Sequence, residues 1–121
     1  MSHRTLALGR RGERLAERHL VQLGAKVLAR NYRCRLGEAD LIVEHDGDLV
    51  LVEVKTTSAG AGIRPEDHIT FAKLRRLERV LTRYAQQYGH LERSWRIDVV
   101  AVEVGRDGCV GRLEHLRHAY F

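Results

Sequence analysis

The chain's 121 residues are enough for one domain spanning 1–121 with a single core. Its 44% hydrophobic and 31% charged residues read as a soluble globular protein, not a disordered chain. No apolar run approaches the ~20 residues of a membrane span, and the polar start Met1-Ser2-His3-Arg4 lacks the apolar region of a signal peptide, so a cytoplasmic protein with no membrane partner is expected. The net charge of +5 predicts a polyanionic partner.

Residues 5–24 carry Leu15, Ala16, His19, Leu20 and Leu23 at helical spacing, with Gly24 as the stop. Glu13 falls at the edge of that apolar stripe, where a glutamate ordinarily keeps its carboxylate in water, and Glu17 lies further round toward solvent. Residues 26–34 give a first strand through Val27, Leu28 and Tyr32. Arg30, Arg33 and Arg35 surround it, either as plain surface charge or as an edge that touches phosphates.

Residues 37–55 read as two strands joined at Asp46-Gly47, a strong hairpin signal. A two-residue loop pairs His45 with Asp48, Asp40 with Glu53 and Glu38 with Lys55. Alternation then places those last four on one face and Ala39, Leu41 and Val43 with Val54, Val52 and Val50 on the other. Opposed side chains lie only ~5 Å apart, and like charges there are destabilising. Two carboxylates meeting beside a lysine suit a hard divalent cation, which takes oxygen ligands and phosphate, and the pattern points to metal-dependent phosphodiester chemistry. A solvated hairpin face with a Glu38–Lys55 surface pair is the plain alternative.

Thr56 to Arg64 is expected to be a flexible linker, or a loop beside the site, and has no phosphate-loop spacing. Pro65 is expected to open a second helix ending at Tyr88, with Gly89 as its stop. Its apolar stripe is Leu74, Leu77, Leu81, Tyr84, Ala85 and Tyr88. Arg75, Arg76, Arg79 and Arg83 run along the other side, as a solvated face or a nucleic-acid-binding row that tracks phosphates. Lys73, four before Leu77, can point back toward the strand ends. Trp95–Val104 reads as a fourth strand, with Arg96 and Asp98 paired on one face, and Asp107-Gly108 turns it into a fifth from Cys109 to Leu116. His115 and His118 are expected at the surface, and His68 and His90 have no partners at ligand spacing. Cys34 and Cys109 show no zinc or disulfide pattern. Of the 21 basic side chains only Lys26, Lys55 and Lys73 are lysines, leaving 18 arginines, so two of three lysines stand at candidate site positions.

Asp40 followed thirteen residues later by Glu53-Val54-Lys55 resembles the D…(D/E)xK signature of restriction-endonuclease-like nucleases, although no proline precedes Asp40. Together with Gly12-Glu13, Asn31, Gly37 to Ile42, Lys73 and Arg96 to Val100, the chain from about Gly9 to Phe121 resembles the bacterial YraN family of predicted endonucleases, related in fold to archaeal Holliday-junction resolvases. That resemblance implies an α/β restriction-endonuclease-like sandwich, helices covering a mixed central sheet in the order α-β-β-β-α-β-β. It implies a nuclease that uses Mg²⁺ or Mn²⁺ on nucleic acid, DNA before RNA, as a monomer or homodimer. Asp40 and Glu53 would hold the metal and Lys55 would assist catalysis. Glu13 would be an outer or second-metal ligand, Glu38 an auxiliary carboxylate, and Lys73 a residue of the rim. A nucleic-acid-binding module of the same fold without turnover is the alternative.

Overall fold

The turn at Asp46-Gly47 fixes the geometry around which the sheet is built. Asp46 (φ 51°) and Gly47 (φ 82°) both take left-handed backbone, as a tight hairpin turn demands, and His45 pairs with Asp48. The computed structural model describes residues 3–60 and 69–118. Among them are helix α1 (His3–Gln22), strands β1 (Lys26–Cys34), β2 (Gly37–His45) and β3 (Asp48–Ser58), helix α2 (Phe71–Tyr88), and strands β4 (Trp95–Val104) and β5 (Val110–Leu116). The order is the expected α-β-β-β-α-β-β, and the strands form one mixed sheet in the order β1-β2-β3-β4-β5.

All neighbouring strands are antiparallel except β3 and β4, whose parallel pairing requires the crossover that α2 supplies. The two helices cover opposite faces. Leu15, Ala16 and Leu20 of α1 pack on Leu41, Val43, Val50, Val52, Val100 and Val102. Leu74, Leu77, Val80, Leu81 and Tyr84 of α2 pack on Ile42, Leu49, Leu51 and Ile97. With apolar side chains on both faces, β2, β3 and β4 are buried throughout their middles, which accounts for their Val- and Ile-rich runs.

Several expectations need correction. Helix α2 begins at Phe71, because Thr70 caps it by accepting the Lys73 N–H on its Oγ1 at 3.1 Å; Pro65 lies outside the described residues. Thr56, Thr57 and Ser58 are not loop but the end of β3, paired with Val102, Glu103 and Val104. Residues 61–64 of the expected linker also lie outside the described residues. Leu23 and Tyr88 are exposed at the ends of their helices, where the supporting sheet has run out. Gly89 does stop α2, in left-handed conformation at φ 80°.

Candidate active site

The hairpin register holds from His45–Asp48 to Leu41–Val52 and there the ladder stops. Beyond it β2 and β3 part, and the Asp40 carboxylate fills the fork, its Oδ2 accepting the Val54 backbone N–H at 2.8 Å. On β1, Asn31 sits between the Arg30–Leu41 and Tyr32–Ala39 pairs with φ 50°, a left-handed conformation that asparagine tolerates better than most residues. The alternation of faces also breaks on β2. Ala39, expected beside Leu41, instead joins Ile42 and Tyr32 on the α2 side. The expected Glu38–Lys55 pair is likewise not formed, since Glu38 turns to Arg33 across β1, at 3.4 Å.

Asp40 and Glu53 do meet. Their carboxyl groups interact directly, and Glu53 is only 7% exposed. Burial, then the bond to Glu53 and its charge, raise Asp40 to about 8, far above an ordinary carboxyl. Lys73 reaches in from the first turn of α2 and places Nζ 3.0 Å from Glu53 Oε2. Lys55 lies beside Lys73; burial first, and then that neighbouring ammonium, depress it below an ordinary lysine. Burial would depress Lys73 as well, but the neighbouring Lys55 amine and the ion pair with Glu53 outweigh that and raise it. Lys55 is therefore the readier of the two to give up its proton.

Glu13 faces this fork from α1. Gly12 permits the approach, because a Cβ there would overlap the Thr56 hydroxyl on β3. The Glu13 carboxyl is raised by burial, then by Glu38, with Arg10 opposing and Glu53 adding to the rise. A cleft of about 900 Å³ opens between α1 and the strand ends, lined by Arg10, Glu13, Asn31, Glu38, Lys55 and Thr56 among others. Among the described residues no three His, Cys, Asp or Glu side chains gather as a metal set, so Glu13 is not brought into one cluster with Asp40 and Glu53. Two neighbouring carboxyls nevertheless fit Mg²⁺ or Mn²⁺ chemically, because such an ion is commonly held by one or two carboxylates with water and phosphate completing its shell.

Arg75, Arg76, Arg79 and Arg83 are all exposed on the outer side of α2. Sequence reasoning overlooked Arg10, which had no distinguishing signal among so many arginines. It also placed His115 at the surface. In fact His115 Nε2 donates to Asp98 Oδ2 at 2.8 Å, and its side chain is 8% exposed. The Arg96–Asp98 pair is present as expected, Nε to Oδ1 at 3.0 Å, with Arg96 also on Asp48 Oδ2 and His45 Nδ1.

Sequence comparison agrees over nearly the full chain. The model of the uncharacterised protein family UPF0102 matches residues 12–102. A UPF0102 protein of Frankia alni is 43% identical over 114 residues, covering 94% of each chain. One from Pelotomaculum thermopropionicum is 42% identical, covering 93% of this chain and 94% of its own. Another, from Beutenbergia cavernae, is 45% identical over 111 residues, covering 92% and 93%. This chain belongs to the UPF0102 family.

Proposed function

We propose that this protein is a Mg²⁺- or Mn²⁺-dependent nuclease that hydrolyses DNA phosphodiester bonds, as its resemblance to the YraN endonucleases implies. One observation carries the reading: the Asp40 and Glu53 carboxyls are held against each other at a strand fork, with Lys73 paired to Glu53 and Lys55 beside it, and Lys55 also lines a large cleft with Glu13 and Glu38. Setting two carboxyls against each other costs stability, which the Lys73 ion pair to Glu53 helps offset and a bound cation would offset further. A bound divalent ion would neutralise charge on the phosphate and make a water acidic enough to attack at neutral pH. Asp40 and Glu53 would hold that ion. Lys55, with its lowered proton affinity, takes a proton from the water or offsets the developing charge. Lys73 keeps Glu53 oriented while Arg10 and Glu13 line the approach.

The test is cleavage of linear, flapped and four-way DNA with Mn²⁺, by wild type and by Asp40→Asn. Wild type should cleave at least one substrate and the variant none. The second reading, a non-catalytic nucleic-acid-binding module, draws on Lys73, whose ion pair already satisfies Glu53. Tight binding of all three substrates with no Mn²⁺-dependent cleavage would favour it.

A further inference from the structure

The carboxylate cleft does not end at the sheet. Arg33, on edge strand β1, lines the cleft and also a second hollow of about 510 Å³ containing Tyr32, Arg35, Arg83 and Gln87. Arg83 in turn lines a third, with Arg75 and Arg79 along α2. The three concavities thus share walls in series. The first lies on the α1 side of the sheet and the other two on the α2 side, so the route bends around β1. Arg33 stands at the bend with 77% of its side chain exposed. Beyond the cleft, five arginines and one acidic residue, Glu78, line the path, with Tyr32 as its aromatic ring, in a T-shaped contact with Tyr84 and bonded through its hydroxyl to Gln87 at 2.9 Å.

A duplex has a persistence length of ~150 base pairs and does not fold around the edge of one strand. A single strand does. Arginines spaced along a groove with an aromatic ring are the means by which unpaired strands are held, phosphates on the guanidiniums and a base on the ring. We propose that this track binds single-stranded DNA, leading an unpaired arm from the cleft past Arg33 and Tyr32 to the α2 arginines. The substrate would then be DNA with a splayed or single-stranded arm; this rests on the nuclease reading above only in assigning the cleft as the reacting end.

The experiment measures binding by fluorescence anisotropy in EDTA, with labelled single-stranded, blunt-duplex and splayed-arm oligonucleotides of matched sequence. Single-stranded and splayed DNA should bind more tightly than the blunt duplex. Arg35→Ala with Arg83→Ala should lower the salt slope for the single strand by ~1.4, at ~0.7 for each lost phosphate contact. Tyr32→Leu should weaken single-strand binding roughly five- to a hundredfold, the span of stacking on one aromatic, while Tyr32→Phe, which keeps the ring, retains it. Equal affinity for blunt duplex and single strand, or equal weakening of both by the arginine variant, would overturn the proposal. No divalent ion is present, so the two readings fail separately. Strand preference without Mn²⁺-dependent cleavage keeps the track and removes the nuclease, and cleavage without strand preference does the reverse.

Discussion

Asp40 and Asp98 are both strand aspartates in one sheet, yet the protein treats them in opposite ways. Asp98 is fully buried and its carboxyl is nevertheless held below the usual range. Burial alone would raise it, but His115, Arg96 and the His118 backbone N–H all donate to it, and the Arg96 charge faces it. Asp40 is also largely buried and has the Val54 N–H, but it faces Glu53 as well, and its carboxyl is driven up to about 8. Depth does not decide between them. What decides is whether the surrounding groups complete the charge or compete with it. A carboxylate with every acceptor matched belongs to the scaffold; one set against another carboxylate is the one proposed above to take a cation.

The contrast breaks most readily at Asp98. Asp98→Ala would leave Arg96 buried with its main partner gone, and urea unfolding should show a loss of ~3–5 kcal/mol. Asp40→Asn, which relieves repulsion, should leave metal-free stability at pH 7 unchanged or improved. Comparable losses at the two positions would erase the distinction. Next in size is Lys55→Ala, expected to slow single-turnover cleavage by ~10²–10³ while keeping Mn²⁺ binding in calorimetry. Glu53→Gln should lose both. A Lys55→Ala enzyme that cleaves at the wild-type rate would return Lys55 to the scaffold.

Metal should then stabilise only the unmatched cluster. A cation bound by the folded state alone adds ~2.7 kcal/mol at a hundredfold excess over Kd. Melting temperature should rise with Mn²⁺ in wild type and in His115→Gln, but not in Asp40→Asn; equal shifts in all three would place the ion elsewhere. The smallest effect expected is in pH. The Asp40 carboxyl binds its proton more tightly folded than unfolded, so its contribution is full below the unfolded value of 3.8 and is lost as pH rises toward about 8. Metal-free stability in denaturant should therefore fall across that window, on the order of 1–2 kcal/mol for a shared-proton pair. Asp40→Asn should flatten that fall. Asp98 runs the other way, its contribution being lost as the solution is acidified.

The hairpin, and with it the meeting of Asp40 and Glu53, was legible because turn chemistry and alternation are local signals that agreed. The fork was not legible. No local signal marks the end of the β2–β3 ladder at Leu41–Val52, nor the left-handed backbone of Asn31 on the neighbouring strand. The start of α2 was misread because Pro65 is a plausible first helical residue on local grounds, whereas the structure begins the helix after Thr70, whose hydroxyl caps it. Lys73 was readable as pointing back to the strands, but its contact with Glu53 depends on that later start. His115 was missed because its partner Asp98 lies seventeen residues away on the neighbouring strand, where no spacing rule reaches.

The parallel pairing of β3 with β4 has a kinetic consequence. Every pair in that ladder, from Leu49–Trp95 to Ser58–Val104, joins residues 46 positions apart, whereas β1, β2 and β3 follow one another through short turns. Loop closure taxes the distant pairing first and rewards it last. The three-strand meander, carrying Asp40 and Glu53 together, is therefore expected to assemble early, with β4 docking afterward to bring Arg96 onto Asp48 and His45, and Asp98 then meeting His115 of β5. Substitutions at Val43 or Val50 should mainly slow refolding, whereas those at Asp98 or His115 should mainly hasten unfolding. On this view the repelling carboxyls meet in the nucleus, and the matched network is the latch that closes behind them.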